Sequence, residues 1–154
     1  MASVRAGNVI GGGDWSKDRL IPDIIRAIFE GDGTVVLRNP ESIRPWQHVL
    51  EPLLGYLLLA EKLYNGKVDF VWAWNFAPNE ENFITVKKLV EKGVEIVGRY
   101  IIKRDEEKHE SKILKLDATK AKVYLGWRPL LSIDETLKWT FEWYRSCLLY
   151  TSDA

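Results

Sequence analysis

Residues 5–23, RAGNVIGGGDWSKDRLIPD, constrain what this chain can fold into more than any other stretch. A short apolar-leaning segment, Ser3 to Ala6, reads as the end of a buried strand. The chain then breaks at Gly7-Asn8, passes Gly11, Gly12 and Gly13, and enters a helix through Asp18-Arg19-Leu20-Ile21-Pro22. Three consecutive glycines bring no side chain to a core, so the backbone there serves close approach or dihedrals that other residues avoid. A strand end, a glycine loop and a helix start form the layout of a ligand crevice in an open α/β sheet. The same layout also serves as a plain turn, and the residues alone leave both readings open.

The rest of the chain alternates helical and extended patterns. Ile24, Ile25, Ile28 and Phe29 recur at helical spacing, with Pro22 in the first turn and Gly31 at the end. Thr34 to Arg38 and Arg44 to Val49 read as strands. A helix from Glu51-Pro52 to Asn65-Gly66 carries leucines around so much of its girth that burial on two sides is expected. Phe70 to Phe76 reads as an interior strand, and Thr85 caps a helix with Val86, Leu89 and Val90 inward and a possible break at Gly93. Gly98 to Asp105 is extended, the charged run Arg104 to Lys108 is a solvated loop, and Ile113, Leu114 and Leu116 form a short strand. Asp117 or Thr119 caps a short helix ending at Leu125-Gly126. Ser132 and Glu135 form a capping box for a last helix that buries Ile133, Leu137, Phe141 and Tyr144. Ser146 to Ala154 does not continue that period and reads as a non-native tail. Its removal is expected to change stability by no more than about 0.5 kcal/mol.

Composition narrows the function classes. At 154 residues and 46% hydrophobic, the chain can bury one moderate core. The 22 basic and 22 acidic residues cancel, which argues against a nucleic-acid partner needing a basic stripe. The longest apolar run, Leu53 to Ala60, falls far short of the roughly 20 residues of a membrane span, and MASVRAGN is no signal peptide. A soluble, cytoplasmic protein is expected; the single Cys147 fits a reducing compartment.

Four stretches carry a resemblance: RAGNVIGGGDW with DRLIPD, RNPESIRPWQHVLEPLLGYLLLAEKL, AWNFAPNEEN, and LKLDATKAKVYLGWRPLLSIDETLKWT. Together they resemble the CDP-glucose 4,6-dehydratases of the extended short-chain dehydrogenase/reductase superfamily, from Arg5 to Tyr144. The ending LD-x-TKA…LGW-x-P is shared more widely among nucleotide-sugar epimerases and dehydratases. The chain has no G-x-x-G-x-x-G after an N-terminal strand. It has no Tyr-x-x-x-Lys either, since Tyr56, Tyr64 and Tyr144 are followed four residues on by Ala60, Val68 and Leu148. In the family those motifs supply the NAD site and the general acid/base. The resemblance therefore implies an α/β C-terminal part of such an enzyme, with the N-terminal Rossmann half missing. Residues 1–8 would end the Rossmann domain, 9–145 would form the substrate-binding domain, and 146–154 would be the tail.

The resemblance also implies roles. Arg19, where the glycine loop meets the helix, approaches the diphosphate of a nucleotide sugar, with Leu20 beside it; a solvated surface arginine is the competing reading. Arg44 matches the arginine of the family's R-D-W segment, with Pro45 in place of aspartate. Asn8 contacts substrate or the nicotinamide of NAD, or else only holds its own turn. Asn75 matches an N-x-G segment at the nucleotide, with Ala77 in place of glycine. His109, with Glu110, matches a nucleotide-contacting H-E pair. No residue is assigned to catalysis or to a metal, and His48 reads as a structural histidine. Trp127 and Trp139 are expected to pack, whereas Trp15 is placed to line a pocket.

The function implied is the substrate-binding half of an enzyme, a homodimer through helices elsewhere, that uses NAD to convert CDP-glucose to CDP-4-keto-6-deoxyglucose for deoxysugar synthesis. The sugar is oxidised at C4, water leaves across C5–C6, and the hydride returns to C6. Alone, the chain is expected to be inactive. The alternatives are a piece of another NAD-dependent nucleotide-sugar epimerase or reductase, and a non-catalytic nucleotide-sugar binding module.

Overall fold

The computed structural model describes residues 1–97, 101–104 and 112–152. In chain order the elements are β1 (Ser3–Ala6), β2 (Asn8–Ile10), α1 (Leu20–Phe29), β3 (Thr34–Leu37), β4 (Ile43–His48), α2 (Leu50–Tyr64), β5 (Ala73–Phe76), β6 (Phe83–Thr85), α3 (Val86–Val97), β7 (Ile101–Arg104) and α4 (Ile133–Ser152). They form three small sheets of an α/β fold, ordered β1-β5, β2-β4-β6 and β3-β7. Every pair is parallel except β4-β6.

The first two strands are one extended run that changes sheets at Gly7. β1 pairs with β5 from Ser3↔Ala73 to Ala6↔Phe76, and β2 pairs with β4 from Asn8↔Trp46 to Ile10↔His48. Two hydrogen bonds sew the sheets together at this point. The Gly7 amide donates to the Phe76 carbonyl at 3.3 Å, and the buried Gln47 amide Nε2 donates to the same oxygen at 2.9 Å.

Two apolar clusters follow from this division. One joins α1, β3, β4, α3 and α4 through Ile24, Leu37, Trp46, Leu89, Val90 and Phe141. The other joins β5 and α2 to the segment before α4 through Leu59, Trp74, Phe76, Ala121 and Trp127. The second is bridged by Glu51, whose Oε1 accepts the amides of Leu130 and Leu131 while its own carbonyl accepts Trp127 Nε1–H at 2.9 Å.

Most sequence patterns fold as written. Ile133, Leu137, Phe141 and Tyr144 are buried on α4. Ser132 and Glu135 make the reciprocal bonds of the capping box, and Thr85 Oγ1 accepts the Lys88 amide to cap α3.

Six expectations change. β1 is largely exposed, not the end of a buried strand. The 70–76 strand begins only at Ala73; Val68–Phe70 is a 3-10 turn, and Trp72 is 62% exposed. The sequence is rich in β-forming residues, but among the described residues only β1, four residues long, pairs with it. Ile113 makes a single bridge to Ile43 instead of a strand. α3 passes through Gly93 without interruption, and the glycine serves packing instead: a side chain there would meet the Phe141 ring at 2.4 Å, so its absence lets α3 and α4 touch. α2 is buried on one side only, with Leu53, Leu54 and Leu57 exposed. The last helix does not end at Tyr144 but runs to Ser152, with half-buried Leu148 against the first cluster. Cutting the chain after Arg145 is therefore expected to cost roughly 1 kcal/mol, the value of burying part of one leucine, instead of nothing. An unchanged melting midpoint would show that Leu148 adds no net stability.

Candidate functional site

A cleft of about 770 Å³ opens where β2 and the glycine loop meet the start of α1, the end of β3 and the start of β4. Its position follows from the chain's course. β2 ends at Ile10, the loop carries the backbone outward, and α1 returns along β3, leaving the crevice between them.

Four of the six residues expected at a binding site line this cleft: Asn8, Arg19, Leu20 and Arg44. Asn8 opens β2 in register with Trp46, whose indole is tied to the Ile84 carbonyl at 3.2 Å. Arg44 lies on β4 and is buried at 9% exposure; its Nη1 donates to the Ile43 carbonyl at 2.9 Å. A buried guanidinium on a strand is held more firmly than a surface one. Arg19 is the exposed N-cap residue of α1, where helix-end amides add partial positive charge. Asn75 is on β5, in register with Arg5, and does not line the cleft. His109 lies outside the described residues.

The structure adds lining residues that had no expected role: Val36, Leu37, Arg38 and Asn39 at and just past the end of β3. Alternation predicts the strand, but only its tertiary placement beside α1 puts it at the cleft. Three acids, Asp14, Asp18 and Asp23, also line it and are occupied locally. Asp18 meets Arg38 at 2.8 Å and Asp23 meets Arg26 at 2.5 Å. Asp14 accepts the Ser16 amide at 2.9 Å, a bond that, with the nearby Arg19 and Arg26 charges, holds its carboxyl below the usual carboxylate range. Asp18 is the one described residue other than glycine with positive φ, 60°, a backbone conformation that costs energy.

The histidine and tryptophans near the site are structural. His48 is buried, its Nδ1 accepts the Leu50 amide at 3.3 Å, and its ring meets Trp139 edge to face at 5.6 Å. Burial pushes its pKa below the ordinary value, since desolvation disfavours the charged ring. Trp15 does not line the cleft but packs on Tyr144 at 5.1 Å.

The space on the Cβ side of Gly12 is filled by Trp143, whose ring would lie 2.2 Å from a Cβ, so glycine is required there for the loop to pack against α4.

No family model matches the chain. It is 50% identical over 149 residues to the CDP-glucose 4,6-dehydratase of Salmonella typhimurium, a match covering 95% of this chain and 41% of that protein. Its fold superposes on the dTDP-glucose 4,6-dehydratase of Bacillus anthracis in complex with NAD, with a TM-score of 0.78 at 21% identity over 94% of this chain and 44% of that one. It also superposes on the UDP-glucose-4-epimerase of Stenotrophomonas maltophila with bound NAD, with a TM-score of 0.78 at 16% identity over 97% of this chain and 48% of that one. The chain thus spans less than half the length of each. With half its residues shared over nearly its whole length, the chain is similar to part of a CDP-glucose 4,6-dehydratase, and its fold is the one found in part of the nucleotide-sugar dehydratase and epimerase structures.

Proposed function

We propose that this chain is the substrate-binding part of a nucleotide-sugar 4,6-dehydratase, and that its cleft takes CDP-glucose. The observation that carries the reading is the convergence of Asn8, Arg19, Leu20 and Arg44 on one cleft in a chain half identical to a CDP-glucose 4,6-dehydratase. A nucleotide diphosphate needs fixed cations and neutral donors. Arg44 supplies a guanidinium fork from a strand, Arg19 adds charge at the α1 start, and Asn8 offers an amide to the sugar. Because Asp18 and Asp23 are each paired with another arginine, they need not repel the diphosphate. Asn75 and His109 keep the nucleotide-contact roles implied by the resemblance.

In the whole enzyme, CDP-glucose would be converted to CDP-4-keto-6-deoxyglucose, with NAD held chiefly by residues this chain does not contain and Asn8 its one contact here. On this reading β1, β5 and α2 are the margin of a larger parallel sheet. The outward leucines of α2 support it, since parallel sheets are ordinarily covered on both faces. The homodimer and the cytoplasmic location belong to the same proposal.

Calorimetric titration of the chain with CDP-glucose, UDP-glucose and dTDP-glucose tests the reading. Binding is expected for CDP-glucose foremost, with no 4-keto-6-deoxy product when NAD is added. Preference for a UDP sugar would favour an epimerase instead, and binding of none of the three would overturn the proposal.

A further inference from the structure

Three successive carbonyls of the glycine loop accept bonds from side chains elsewhere in the fold. The Asp14 carbonyl accepts the Tyr144 hydroxyl, whose ring α4 buries completely, at 2.5 Å. The Trp15 carbonyl accepts Arg26 Nη1–H and the Ser16 carbonyl accepts Arg26 Nη2–H, both at 3.1 Å. Residues 11–19 have no regular secondary structure, so without these donors nothing in their own backbone pattern would fix them. Aromatic packing acts at the same points. Trp15 meets the Tyr144 ring edge to face, and the Trp143 ring fills the space where Gly12 lacks a side chain. The same loop supplies Gly11, Gly12, Asp14, Asp18 and Arg19 to the cleft wall.

We propose that Tyr144 and Arg26 are positioning residues: they latch the glycine loop from α4 and α1 and hold it as the preformed wall of the ligand cleft. Neither need touch the ligand. Their effect is to order nine loop residues before the ligand arrives, so that this entropy is not charged against binding. The ligand side of the inference rests on the reading of the cleft as a nucleotide-sugar site; the latch itself does not.

Hydrogen exchange of the 11–19 amides, read beside titration with CDP-glucose, tests it in the 154-residue chain. Tyr144→Phe keeps the ring and removes one donor, so loop exchange should rise, while the amides of α3 exchange as before. CDP-glucose affinity should fall by roughly three- to tenfold, the weight of one hydrogen bond. Arg26→Gln, at a part-exposed side chain, removes the second anchor without touching the core and should also raise loop exchange; because it releases Asp23 at the cleft as well, affinity is read in Tyr144→Phe alone. Unchanged loop exchange in both variants would overturn the latch. A loosened loop with unchanged CDP-glucose affinity in Tyr144→Phe would overturn its role at the cleft. If the wild-type chain binds no CDP-glucose, the reading of the site fails, while faster loop exchange in the variants would still support the latch.

Discussion

Replacing Glu51 by alanine is expected to destabilise the protein by roughly 2–5 kcal/mol, since two backbone amides would lose a shared charged acceptor and each buried unsatisfied donor costs about 1–3 kcal/mol. Glu51 is 6% exposed, and its Oε1 takes the amides of both Leu130 and Leu131. These bonds fix the segment that leads from Trp127 into α4, and Trp127 itself donates to the Glu51 backbone. The substitution should thus loosen the junction of the two apolar clusters, not only one loop. Glu51→Gln retains an oxygen at the right place and should recover about half of the loss, because a neutral acceptor is weaker than a charged one. Its partnerless Oε2 becomes an amide NH2 that needs acceptors of its own, which limits the recovery. Urea unfolding of the three proteins measures both steps. A shift below about 0.5 kcal/mol for the alanine variant, the range of surface changes, would mean that water replaces the carboxylate at these amides.

Replacing Arg44 by alanine is expected to weaken CDP-glucose binding about ten- to a hundredfold, the loss of one charge-assisted contact of roughly 1.5–3 kcal/mol. Arg44 is buried on β4 and anchored to the Ile43 carbonyl, so its guanidinium is already ordered before a ligand enters. Arg44→Lys should recover only part, because a point charge cannot reproduce the two-pronged fork toward a diphosphate. Truncating a buried side chain also leaves a gap, so the melting midpoint of each variant must be read with the titration. A folded alanine variant with unchanged CDP-glucose affinity would remove Arg44 from the site. In a full-length enzyme the same substitution should leave NAD binding nearly untouched.

The two predictions mark the division between what could be read in the sequence and what could not. Local signals were legible because local physics sets them. The apolar period of α1 and α4, the Ser132–Glu135 capping box, the Thr85 cap and the stop at Gly126 each depend on a few neighbouring residues, and each is present. The glycine loop was recognisable as a place of close backbone approach, and the four residues that now share a cleft were named from a family pattern. The sequence could not reveal what the loop approaches. Trp143 and Tyr144 sit about 130 residues away along the chain and reach Gly12 and Asp14 only once α4 has docked. Glu51 reads as an ordinary first-turn acid on a helix; only the fold brings the amides of 130 and 131 to it, 80 residues on. The end of β3 was likewise legible as a strand but not as a wall, since its role depends on which helix lies beside it. The leucines of α2 mark the reverse case: their pattern predicted burial, and the neighbours present cover one side only. Helix and strand follow from spacing along the chain, whereas a binding wall, a buried acid's partners and the fate of an apolar face depend on which distant segments meet, and that is settled by tertiary packing.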